Sequence, residues 1–96
     1  MATRIQTENP EMILPTFHMN GNSPKTLGKQ YLDALHALSD FSEEFYKVDF
    51  HQRDYYVQAP ENWKKAILQR DKIKQHIEEI RKYLDNLATH AFESVV

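Results

Sequence analysis

From Trp63 to Ala91 the small and apolar residues return at alternating steps of three and four: Trp63, Ala66, Ile73, Ile77, Ile80, Leu84, Leu87 and Ala91, with Arg70 in the same register. A spacing that averages 3.5 residues keeps side chains on one line only if the chain is helical, and the run is far too long for a strand. Lys65, Lys72, Glu79 and Lys82 fall outside the line, so the helix has one apolar seam and a charged remainder. Such a seam must be buried against another helix.

The partner lies upstream. Leu27, Tyr31, Ala34, Leu38, Phe41, Phe45 and Val48 form a second stripe of the same kind, widened by Leu35. Ser23-Pro24 marks its start, since a hydroxyl can cap free N–H groups and proline is pre-set for the first helical position. Pro60 followed by Glu61 starts the longer helix in the same way, with negative charge suited to the positive end of the helix dipole. Gly28 costs about 1 kcal/mol against alanine inside a helix, which points to a close crossing there. The reading is an all-α protein. Helices over about 24–47 and 60–91, roughly 36 and 48 Å long, fold into an antiparallel hairpin joined by a connector over 48–59. Ile67 and Tyr83 widen the apolar surface of the second helix beyond what one partner covers, so the hairpin is expected to assemble into a homo-oligomeric helical bundle.

Residues 1–22 form an N-terminal arm and turn ahead of the hairpin of 23–96. The arm is polar and punctuated by Pro10 and Pro15, and Met12-Ile13-Leu14 could dock on a neighbour. Asn20-Gly21 is a tight-turn pair, because both residues tolerate positive φ.

Composition narrows the function by exclusion. A formal net charge of −2, with acids and bases interspersed, leaves no basic stripe for duplex DNA. Without cysteine there is no disulfide framework and no thiolate metal site, which fits a reducing cytoplasm. The first residues lack the apolar stretch of a secretory signal, and no run approaches the roughly 18 apolar residues of a membrane span. His18, His36, His51, His76 and His90 show no paired-ligand spacing, and no phosphate-binding loop, dinucleotide fingerprint or nucleophile elbow occurs. The expectation is a non-enzymatic protein with no cofactor and no metal.

Four polar features remain. In the connector, Arg53, Asp54, Tyr55 and Tyr56 put a guanidinium, a carboxylate and two phenols side by side. The tyrosines can close the open end of the hairpin with Arg53 and Asp54 paired, or a phenol can stack on a planar ligand while Arg53 forks onto phosphate or carboxylate. Backbone N–H groups at Asn20-Gly21, with the start of the first helix and Lys25, offer an anion-binding concavity. Arg70 sits on the seam, where it must reach solvent, pair with an acid such as Asp33, Asp40 or Glu44, or meet a ligand. The Asn20 turn and the Arg53 connector lie at opposite ends of one hairpin, so only an antiparallel neighbour could bring them together.

The run Leu14-Pro15-Thr16-Phe17-His18-Met19-Asn20-Gly21, followed by a helix and by Arg53-Asp54-Tyr55-Tyr56-Val57-Gln58, resembles a family of small phage and prophage proteins over roughly residues 12–90. The resemblance implies a viral protein in the host bacterial cytoplasm, of the size of many that counter host defence. In architecture the chain is also similar to phage sponges that sequester cyclic nucleotide or cyclic ADP-ribose immune signals. That likeness implies a ligand of this type at subunit interfaces, with Tyr55 and Tyr56 stacking, Arg53 on phosphate, Asp54 orienting Arg53 or accepting from base or ribose, and Asn20-Gly21 donating. A protein-binding inhibitor or structural adaptor that grips a host or phage protein through its helical surface is the alternative.

Overall fold

The computed structural model describes residues 12–95. Two α-helices, α1 (Pro24–Lys47) and α2 (Pro60–Glu93), make an antiparallel hairpin, and no strand occurs among the described residues. α1 begins as its sequence requires: the Ser23 hydroxyl accepts the Thr26 N–H at 3.1 Å, and Pro24 follows in the first turn. α2 begins at Pro60 with no side-chain cap on Ala59, and Glu61 supplies the acidic first turn. It runs two residues past Ala91, to Glu93, closed by the Ser94 N–H on the last carbonyls.

The molecule measures 61 × 37 × 18 Å, and its thinnest dimension leaves no room for a third layer over the helices. The buried set is correspondingly small. Ile77 marks the middle of the hairpin, while Leu87, Ala88 and Ala91 are buried near its base together with Gly28. Gly28 is where a bare backbone is needed, to admit a side chain of the opposing helix: a Cβ there would lie 3.0 Å from Phe92 Cζ on α2.

The arm closes the base on its own protomer. His90 donates from Nε2 to the Pro15 carbonyl at 2.7 Å, Phe17 stacks on the His90 ring at 5.5 Å, and the Asn86 amide reaches Met12 Sδ at 3.6 Å. Of the expected docking segment, Met12 thus finds its partner within the chain, while Ile13 and Leu14 are exposed. Residues 1–11 lie outside the described residues.

Candidate functional site

The connector folds in two steps. After α1 ends, His51 turns its Nδ1 back to accept the Arg53 N–H at 3.0 Å, and the His51 carbonyl accepts the Asp54 N–H. A single 3-10 turn over Gln52–Asp54 results, with Tyr55 bonded back to the Gln52 carbonyl at 2.8 Å. This tight turn separates neighbours that sequence adjacency groups together. Tyr55 swings inward, 5.8 Å from the Phe50 ring and 5.3 Å from Trp63, and Phe50 and Trp63 lie 4.8 Å apart. Tyr56 stays exposed and lines a cleft of about 340 Å³ with His51, Gln52 and Arg53. Arg53 pairs with Asp49 at 2.5 Å, four residues back, and not with its neighbour Asp54.

The inward side holds the second cleft, about 260 Å³, lined by Phe45, Phe50, Tyr55, Ala66, Gln69, Arg70 and Ile73. Arg70 is its one charged wall. Its guanidinium carbon stands 4.7 Å from the Phe45 ring centre and 4.9 Å from that of Phe50. Attraction to two ring faces replaces the carboxylate that seam position invites, and among the described residues Arg70 makes no ion pair with Asp33, Asp40 or Glu44. Arginine suits this place because its planar, weakly hydrated head stacks on aromatics while its N–H edges stay free to fork onto an anion.

At the other end of the hairpin, the Asn20-Gly21 donors are engaged locally. The Gly21 N–H bonds to the His18 carbonyl at 3.1 Å, and the Asn20 N–H points to His18 Nδ1 at 3.3 Å. Gly21 therefore closes the turn as its fourth residue, with Met19 and Asn20 at the centre, and needs no positive φ. A Cβ on Gly21 would lie 3.1 Å from the His18 ring, so the glycine makes room for the acceptor that holds the turn. Lys25 is exposed on the first turn of α1. Thus Tyr55 and Arg70 share one cleft, Arg53 and Tyr56 share the next, Asp54 sits exposed between them, and Asn20, Gly21 and Lys25 are at the far end.

A larger groove of about 400 Å³ runs along one side of the hairpin between Leu35, Leu38, Ser39, Ser42, Tyr46, Lys74, Ile77, Glu78 and Arg81. Two of its three charges satisfy one another. Arg81 grips the Glu78 carboxylate with two nitrogens, which holds that carboxyl below its usual range and the guanidinium above its own. Lys74 stands over the Tyr46 ring at 5.8 Å. Among the described residues no three metal-ligating side chains come together, and no helix is long and apolar enough to cross a membrane.

Comparison with protein families, with curated proteins and with solved structures found no match. The clefts' chemistry is therefore the ground for a functional reading. Phe45 and Phe50 are the site residues that adjacency hides: one ends the α1 stripe and the other follows the helix, and only the chain reversal sets both against Arg70.

Proposed function

We propose that this chain is a non-enzymatic binding protein that sequesters a small phosphorylated nucleotide signal, and that it works as a homo-oligomer. One observation carries the reading: Arg70, half-buried between two phenyl rings, has no carboxylate partner among the described residues and opens onto a cleft walled by Phe50 and Tyr55. A guanidinium whose desolvation is not offset by an acid favours an incoming anion, and aromatic walls favour a planar group beside it. A phosphate with a base attached meets both demands. The anchor shifts from Arg53, which Asp49 already neutralises, to Arg70. Likeness to phage proteins and phage sponges supplies the context of this proposal: suppression of a host defence signal in the bacterial cytoplasm, with a cyclic nucleotide or cyclic ADP-ribose as the ligand type.

Native mass spectrometry of the purified protein with a panel of cyclic dinucleotides and cyclic ADP-ribose tests it. The expected result is a discrete ligand mass that Arg70→Gln weakens at least tenfold and Arg53→Ala leaves in place. Loss in Arg53→Ala alone would transfer the ligand to the cleft of Arg53 and Tyr56. No uptake of any nucleotide by the folded protein would overturn the reading. The adaptor alternative, docking on a host or phage protein, draws on a different observation, the exposed apolar positions Phe41, Ile73 and Ile80.

A further inference from the structure

The two broad sides of the hairpin differ in kind. One carries the groove with Ser39, Ser42, Lys74, Glu78 and Arg81, where polar groups meet water and each other. The other carries two heptad lines, Ala34-Phe41 on α1 continued by Val48 at its C-cap, and Ala66-Ile73-Ile80-Leu87 on α2. Phe41 stacks on Phe45, and Ile73 and Ala66 line the Arg70 cleft, which places both lines on that cleft's side. Along α2 the exposure is uneven. Ile73 and Ile80 are 45% and 48% exposed, whereas Leu87 is 4% exposed. Leu87 lies in the turn that the arm crosses between Asn86 and His90. The arm covers one end of this face, and the rest, with Phe41 and Val48 53% and 58% exposed, has no cover among the described residues.

We propose that a second copy of this chain covers it, related by a two-fold axis parallel to the helices, so that α1 of each copy lies antiparallel on α2 of the other. This deepens the association proposed above by naming its face and orientation. Charge favours a second copy over another partner.

Glu44 flanks the apolar line on the outer edge of α1, and Lys72 flanks it on the outer edge of α2. Phe45 rests on Arg70, so Glu44 and Lys72 stand within a turn of the same height on opposite edges of the protomer. A two-fold parallel to the helices keeps height and exchanges edges, which brings Glu44 of one copy to Lys72 of the other at both rims. Glu44 now holds only the exposed Lys47, and Lys72 makes no ion pair among the described residues. The face is thus complementary to itself, as an isologous interface requires. The same packing would roof the Arg70 cleft.

Because the chain lacks cysteine, introduced thiols report without background. The double variant E44C/K72C and each single variant would be treated with a short bismaleimide after sedimentation of the wild type. Within one hairpin the two Cβ atoms are about 14 Å apart on opposite edges, with both helices between them, so a short linker must join two copies. The expected results are a dimer mass or a multiple of it, cross-linking in the double variant and in a mixture of the two singles, and none in either single alone. Both positions are exposed, and unchanged helicity would verify the fold. A wild-type monomer at all concentrations overturns the association itself. An oligomer in which the double variant fails to cross-link, or in which K72C alone links to itself, overturns the arrangement and leaves the association standing.

Discussion

Replacing Gly28 by alanine sets two effects of similar size against each other. Alanine is favoured over glycine in a helix interior by about 1 kcal/mol. Against that, the new Cβ would stand 3.0, 3.1 and 3.2 Å from Cζ, Cε2 and Cε1 of Phe92, where ordinary carbon contact begins about half an ångström further out. Phe92 is 42% exposed and one residue from the end of α2, so its ring can swing away. Doing so releases the buried part of the side chain, roughly 120 Å², worth up to about 3 kcal/mol at 25 cal/mol per Å². A ring that only tilts forfeits part of that. The expected net effect of Gly28→Ala is therefore near zero or modestly destabilising. In a Phe92→Ala background the obstacle is gone, and the same substitution should stabilise by the full ~1 kcal/mol. The coupling, about 1 kcal/mol or more, is read from a double-mutant cycle by urea unfolding at one fixed protein concentration, since association would otherwise shift the midpoints. If Gly28→Ala stabilises by the same ~1 kcal/mol in both backgrounds, the ring contact does not explain the glycine.

His90→Ala should free the arm, because it removes both the bond to the Pro15 carbonyl and the ring under Phe17; chymotrypsin would then cleave after Phe17 faster, and an unchanged rate would show the arm held by other contacts. Glu78, whose carboxyl is lowered first by its hydrogen bonds from Arg81, should titrate below the ordinary carboxylate range by NMR and return to it in Arg81→Gln. Since the folded value is the depressed one, the pair's contribution is present above the ordinary carboxylate range and lost as pH falls through the lowered value; both groups are solvated, so added salt should shrink the difference.

The hairpin is readable from the chain because its signals are local and repeated. Ser23-Pro24 and Pro60 mark the helix starts, and the stripes from Leu27 and Trp63 give the faces. The candidate site is less legible, for reasons visible at single residues. Arg53, Asp54, Tyr55 and Tyr56 look like one cluster, but a 3-10 turn sends consecutive side chains in different directions, so Tyr55 joins Trp63 while Tyr56 turns to solvent. Arg70 is conspicuous on its seam, yet acids and aromatic rings are both available on α1, and only the register of the two helices selects Phe45. The side-chain acceptors that brace both turns are the Nδ1 atoms of His18 and His51, and histidine is not the residue from which such turns are usually read.

The single tryptophan gives the aromatic plug at the connector a further significance. Trp63 lies about 37 Å along α2 from Ala88, at the opposite end from the buried Leu87, Ala88 and Ala91, and along α2 between Trp63 and Leu87 only Ile77 is buried. The protein is built like a span fastened at both ends. Its fluorescence follows one fastening, whereas far-ultraviolet dichroism averages over the whole span. The two signals need not melt together, and the gap between them would measure how far the mid-section transmits tension from one end to the other.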